Sequence, residues 1–219
     1  MKTTELFDLT KSIAGGFLSR FLYPECALTE LSDFIVELGS KLDEKRYVET
    51  EKNVWIAKSA TVAKSALILP PAIIGENAEI RHSAYIRGSV IVGNSAVVGN
   101  SSEIKNSILF DKVQVPHFNY VGDSILGYAS HLGAGAVTSN VKSDKSHVSV
   151  VRDGEKISVG RKKLGAIVGD FVEVGCGAVL CPGTIIGRGS TVYPLSLVRG
   201  TVPENSIFKN KDNVITKNN

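Results

Sequence analysis

Aliphatic residues occupy every sixth position from Ile56 to Ile104: Ile56, Val62, Ile68, Ile74, Ile80, Ile86, Val92, Val98 and Ile104. The ladder resumes as Val168, Val174, Leu180, Ile186, Val192 and Val198. Between the two runs it continues with irregular steps through Val115, Val121, Leu126, Leu132 and Val137. An amphipathic helix repeats near 3.6 residues and a half-buried strand near 2. A period of six fits neither alone and predicts a parallel β-helix of hexapeptide repeats. Each coil has three flat sides, and each side sends one aliphatic residue inward. Stacked coils turn these residues into interior columns, each member worth about 1.5–3 kcal/mol when fully buried. Glycine follows the aliphatic residue in Ile74-Gly75, Val92-Gly93, Val98-Gly99 and six further pairs. It suits corners, because it tolerates positive φ and close backbone approach. A β-sandwich of short strands is the competing architecture, but it needs turns of varied length and would not hold one period so long.

Residues 1–52 break the period. Leu28, Leu31, Phe34, Ile35, Leu38 and Leu42 recur at helical spacing, and a shorter helix is predicted over Thr4 to Ile13. Gly15-Gly16 and Tyr23-Pro24 punctuate the segment. Its expected role is a helical cap on the open end of the solenoid. The β-helix domain is expected over 53–202, interrupted by a charged loop insertion at 141–163 that projects outward, with Asp153-Gly154 at a hairpin turn. Without the loop, about 18 residues per coil leaves roughly seven coils. The Lys- and Asn-rich stretch 203–219 reads as a tail leaving the stack.

Composition narrows the function classes. The 219 residues carry a net charge of +3 with 21% charged residues, which argues against a nucleic-acid-binding stripe and suits a phosphate-bearing substrate. No stretch approaches the roughly 18 apolar residues of a membrane span, and the first residues lack a signal-peptide pattern. A cytoplasmic protein with no membrane or nucleic-acid partner is expected. Three cysteines (Cys26, Cys176, Cys181) read as free thiols.

The residues with chemistry are Arg87, Glu103, Lys105, His117, Tyr120, His131, Asn140 and Lys163. Arg87 and Lys105 lie 18 apart, about one coil, so they stack on one face as a candidate phosphate clamp. Taken alone, two such cations are also ordinary solvated surface. His117 follows Pro116 where the period slips, and its imidazole suits a general base or a structural role equally. Glu103 is a candidate to orient it. Gly133-Ala134-Gly135-Ala136 offers backbone N–H groups to a reacting carbonyl, or simply tight corner packing. The histidines His82, His117, His131 and His147 include no pair five apart. The three-histidine zinc site of a γ-type carbonic anhydrase is therefore not expected, and no metal is.

Three stretches resemble one family: Val98-Gly99-Asn100-Ser101-Ser102-Glu103-Ile104-Lys105, His117-Phe118-Asn119-Tyr120-Val121-Gly122-Asp123, and Leu132-Gly133-Ala134-Gly135-Ala136-Val137-Thr138-Ser139-Asn140. Their order and spacing are similar to the acetyltransferase half of the bifunctional N-acetylglucosamine-1-phosphate uridyltransferase/glucosamine-1-phosphate acetyltransferase family. The likeness covers about residues 85–140 and continues less specifically from Lys163 to Val202. It implies an all-β solenoid, a left-handed parallel β-helix with a short N-terminal helical segment, assembled as a homotrimer with sites between subunits. It implies acetyl transfer from acetyl-CoA, without a metal, to an amino-sugar phosphate such as glucosamine-1-phosphate, as in UDP-GlcNAc biosynthesis.

The resemblance also implies roles. His117 is the catalytic base and Glu103 its support. Arg87, Lys105, Tyr120 and Lys163 hold the sugar phosphate, and Asn140 is a substrate-site residue. Ala134 offers its N–H to the thioester carbonyl, and Cys176 and Lys211 contact acetyl-CoA. Three departures stand beside this. Nothing in the chain supplies the family's glycine-rich nucleotide loop, so uridylyl transfer is not expected. His131 replaces the usual sugar-binding Asn, which leaves acceptor identity open. The loop 141–163 is longer than in the bifunctional enzymes. The alternatives are an acyltransferase for another amino-sugar or sugar-nucleotide acceptor, and a non-catalytic sugar-nucleotide-binding partner of a nucleotidyltransferase.

Overall fold

A computed structural model describes residues 1–152 and 154–217; Asp153, expected at the hairpin turn, lies outside the described residues. The chain winds into a parallel β-solenoid with three sheets. Sheet I has nine strands, from Tyr47–Glu51 to Thr201–Val202. Sheet II has seven, from Leu67–Ile68 to Leu197–Val198. Sheet III has nine, from Thr61–Val62 to Asn213–Thr216. All neighbours within them run parallel except the first pair of sheet I and the last pair of sheet III. The predicted columns form as expected. In sheet III, Val62, Ile80, Val98 and Val115 stack in register. In sheet II, Ile68, Ile86, Ile104 and Val121 do the same.

The irregular steps of the ladder are coils one residue shorter at a corner. One position differs from expectation as a result. Tyr120 pairs with Val137 and Val121 with Thr138, so Thr138, not Val137, continues the interior column. Its hydroxyl is fully buried, and it is satisfied by the Gly122 N–H at 3.0 Å and the Ser124 hydroxyl at 3.1 Å. That pairing is what makes a buried hydroxyl tolerable. The glycines after the aliphatic residues also act differently from expectation. Positive φ falls at other corner residues, among them Asn77, Ser83, Ser95 and Ser101. Gly99 is required instead for close approach, because a Cβ there would collide with the Pro116 carbonyl of the next coil.

Sheet I carries a second, outward column. Its strands alternate faces, so while Ile74, Val92, Leu126 and Val168 face the interior, Ile73, Ile91, Ile108, Ile125, Ile167 and Ile185 face outward. All six are at most 1% exposed. The N-terminal segment covers this face. It consists of α1 (Thr3–Leu6), α2 (Gly15–Leu18) and α3 (Leu31–Gly39) joined by 3₁₀ turns. Gly39 lies against the Trp55 indole, and a side chain there would enter the ring. Phe7 packs on Phe110 with ring centroids 5.0 Å apart, and the Asp8 N–H donates to Asp170 at 2.7 Å. These contacts break the helix expected over Thr4 to Ile13 at Phe7-Asp8.

The segment is therefore a flank and not the expected end cap. The reason is the outer isoleucine column of sheet I, an apolar surface that the segment buries. At that end Ile56, Val62 and Ile68 remain only partly buried. The loop 141–163 also does not project. It forms a hairpin, Ser149–Arg152 with Glu155–Ser158, that lies back on the solenoid, with Val148 and Val150 fully buried and the Val151 carbonyl accepting from the Thr201 hydroxyl at 2.9 Å. The C-terminal stretch does not leave the stack. Ser206–Asn210 pairs in parallel with Thr191–Val192, places Phe208 beneath Val192, and turns back as Asn213–Thr216. The stack thus exceeds the roughly seven coils expected. Among the described residues no helix is long and apolar enough to cross a membrane.

Candidate active site

The corner between sheets III and II aligns three predicted residues. His117 ends the strand Gln114–His117 and is exposed. The Gly135 N–H donates to the His117 carbonyl at 3.0 Å, and the Gly177 N–H donates to the Ala134 carbonyl at 2.8 Å. His117, Ala134 and Cys176 therefore occupy one corner position on successive coils, about 4.8 Å apart. Among the described residues no acceptor takes the Ala134 N–H. An exposed imidazole, a free backbone donor and an exposed thiol thus form one outward edge. Lys211 lies in the turn after the strand Ser206–Asn210, at the C-terminal end of the stack.

Sheet II carries the charged residues. Glu103 is level with Tyr85 on one side and Tyr120 on the other. Arg87 and Lys105 follow Ile86 and Ile104, which pair, so the two cations stack as the 18-residue spacing predicts. Neither is free. Arg87 Nη1 donates to Glu103 Oε1 at 2.6 Å, which holds the guanidinium pKa above its ordinary value. Lys105 Nζ lies 3.1 Å from Asp123 Oδ2. Asn140 Nδ2 donates to Asp123 Oδ2 at 2.6 Å and to the Tyr120 hydroxyl at 3.1 Å. Burial pushes the Tyr120 phenol up, the Asp123 charge adds to this, and the Asn140 hydrogen bond opposes it. Tyr120 is thus a neutral hydroxyl at ordinary pH. Lys163 stands beside Asn140, through the bridge from Val141 to Lys163 and the Leu164 N–H donated to the Asn140 carbonyl at 3.0 Å.

Two expected placements do not occur. Glu103 does not hold His117: among the described residues its hydrogen-bond partner is Arg87, because both sit on sheet II while His117 ends a strand of sheet III. His131 is not with the sheet II cluster. It opens a strand of sheet III level with Gln114 and Glu173, and its Nδ1 lies 2.8 Å from Glu173 Oε2.

Two residues that sequence reasoning did not assign organise the site. Asp123, 5% exposed, joins Lys105, Asn106 and Asn140. Asn119, 3% exposed, accepts the His117 N–H at 3.0 Å and donates to the carbonyls of Gly133 at 2.8 Å and Ala136 at 3.0 Å. It clasps the His117 corner to the Ala134 corner. The signal was an Asn in an inward column of small residues: Ala84, Ser102, Ala136, Ala178 and Ser196.

The family model described as GMPPB C-terminal domain matches residues 68–164. A bifunctional sugar-1-phosphate nucleotidylyltransferase/acetyltransferase of Sulfurisphaera tokodaii is 36% identical over 103 residues, covering 47% of this chain and 26% of that protein. A bifunctional protein GlmU of Methanococcus maripaludis is 37% identical over 112 residues, covering 51% of this chain and 27% of that protein. The chain thus spans about a quarter of the length of the curated relatives it matches. Among solved structures, a putative acetyltransferase of Bacillus cereus aligns with a TM-score of 0.44 at 17% identity, over 72% of this chain and 77% of that one. A GDP-perosamine N-acetyl transferase of Caulobacter crescentus aligns at 0.40 and 19%, over 76% and 57%. Over about half its length, this chain is similar to the bifunctional sugar-1-phosphate nucleotidylyltransferase/acetyltransferases, matching the C-terminal part of those proteins.

Proposed function

We propose that the protein transfers the acetyl group of acetyl-CoA to the amine of an amino-sugar phosphate such as glucosamine-1-phosphate. The observation that carries this reading is the corner column, in which an exposed His117 stands one coil from the uncommitted Ala134 N–H. The sugar amine attacks the thioester carbonyl, and His117 removes its proton. The carbonyl oxygen becomes an oxyanion, which the Ala134 N–H stabilises. The carbon–sulfur bond then breaks, and CoA leaves as its thiol after taking up a proton. Arg87 and Lys105 receive the phosphate, which competes with Glu103 and Asp123 for them. Asn140, Tyr120 and Lys163 border the sugar. Cys176 and Lys211 line the path of the acyl donor. His131, held by Glu173, stands at the opening of its sheet III strand, and an acceptor other than glucosamine-1-phosphate is the first alternative.

The ion pairs that already occupy both clamp cations favour a second reading, a non-catalytic solenoid that binds a sugar nucleotide weakly. One experiment separates the two. Thiol release from acetyl-CoA is followed with glucosamine-1-phosphate and then with other amino-sugar phosphates. Acceptor-dependent release that falls by about 10²–10⁴ in His117→Ala supports transfer with His117 as base. Turnover unchanged in that variant removes His117 from the mechanism. No release with any acceptor leaves the binding reading.

A further inference from the structure

The N-terminal segment and the loop 141–163 meet at one buried ion pair. Glu25, 2% exposed at its side chain, pairs with Arg152, 12% exposed, on the first strand of the hairpin. The contact is made by Arg152 Nη2 and Glu25 Oε1, while Glu25 Oε2 and Arg152 Nε are buried without a hydrogen-bond partner among the described residues. The Arg152 guanidinium also lies 3.5 Å over the Tyr23 ring, a cation–π contact. At the far end of the loop Arg161 donates to the Glu25 backbone carbonyl. Burial lowers the Arg161 pKa, and the charges of Cys26, Glu25 and Asp123 oppose that shift. One residue of the flank thus grips the loop on both sides of its hairpin turn.

The two ends of that loop carry site residues. Asn140 enters it and is bonded to Asp123 and Tyr120. Lys163 leaves it, and two residues later the Gly165 N–H donates to the Asp123 carbonyl at 2.8 Å. We propose that Glu25 is a positioning residue for the acceptor pocket: it straps the loop to the flank and so fixes Asn140 and Lys163 beside Asp123. This inference rests on the reading of that pocket given above. It also gives the N-terminal segment a part in binding beyond covering sheet I.

The test is Glu25→Gln in the full chain, which keeps the shape and removes the charge. Trypsin cleavage at Lys142, Lys145 and Lys156 reports loop opening without reference to activity. It is expected to rise on the order of tenfold, because a buried charge left unpaired favours local opening. Calorimetry should show glucosamine-1-phosphate binding weakened by a similar factor. The KM for the acceptor should rise while that for acetyl-CoA holds. Tyr23→Leu removes only the ring under Arg152 and should give a smaller change in the same direction; it decides the matter if Glu25→Gln does not fold. Unchanged cleavage overturns the strap. Faster cleavage with unchanged sugar-phosphate binding overturns its positioning role. Wild-type protein that binds the sugar phosphate without transferring acetyl refutes the transfer reading alone, and weakened binding in Glu25→Gln then still upholds the strap. Wild-type protein that does not bind it overturns both.

Discussion

Asp170 shows how much chemistry a single corner residue can hold. Its carboxylate, fully buried, accepts the N–H groups of Asp8 at 2.7 Å and Tyr128 at 2.8 Å and faces Arg188 at 3.2 Å. Burial raises its pKa above 3.8, against the pull of those donors and of Arg188. The folded state therefore holds this proton to higher pH than the unfolded chain does. Stability falls wherever the folded state binds more protons than the unfolded one. As pH rises from about 4 through the raised value, wild type should lose stability relative to Asp170→Asn, whose amide does not titrate. Urea unfolding of both proteins across that range checks this, and a constant difference between them would show that burial does not raise the Asp170 pKa. At the same scale Asn119 and Asp123 hold the site's geometry through hydrogen bonds to backbone and side chain. A polar group so buried persists only because every partner is present.

At the scale of elements, the solenoid is built from two kinds of column. Ile80 stands in the inward column of sheet III, and Ile91 in the outward column of sheet I beneath the N-terminal segment. Both are at most 1% exposed. Ile80→Asp would bury an unpaired carboxylate inside the prism and should prevent folding; a soluble variant with unchanged Tm would count against the interior ladder. Ile91→Ala should cost about 2–5 kcal/mol, the range for large-to-small changes in a core. The comparison with Leu67→Ala is informative, since Leu67 lies on the outer face of sheet II and is 53% exposed. That change should cost under about 0.5 kcal/mol. Chemical denaturation that gave Ile91→Ala the same small cost would mean that the flank is not packed on sheet I in solution.

At the scale of the whole molecule, sheet II lacks such a cover among the described residues. Along the outer face of sheet II and its corner, Phe118, Leu195 and Leu197 are 60%, 84% and 62% exposed, and Val137 and Val179 continue the stripe. This stripe runs beside the His117 column, and it is the surface on which the homotrimer implied by the family resemblance would close. Leu195→Glu combined with Leu197→Glu should shift sedimentation from trimer to monomer and lower activity with it. A wild-type protein that sediments as a monomer would overturn the homotrimer that the resemblance implies.

Sequence alone determined the solenoid, because a period of six is a local pattern that each coil repeats. It also determined that Arg87 stacks on Lys105, since the coils in the regular part of the ladder are 18 residues long. Through a resemblance, it pointed to the corner on which His117, Ala134 and Cys176 align. The outer isoleucine column was equally present in the sequence, at the residue just before each inward aliphatic of sheet I, but only a partner surface gives it meaning. That is why the N-terminal segment lies along the flank and leaves the open end uncovered. Tertiary structure alone decided the partners of the charges. Arg87 goes to Glu103, Lys105 and Asn140 to Asp123, His131 to Glu173, and Arg152 to Glu25, 127 residues away. Ion pairs and hydrogen bonds carry no period, and their choice of partner depends on distances that exist only after the coils have stacked.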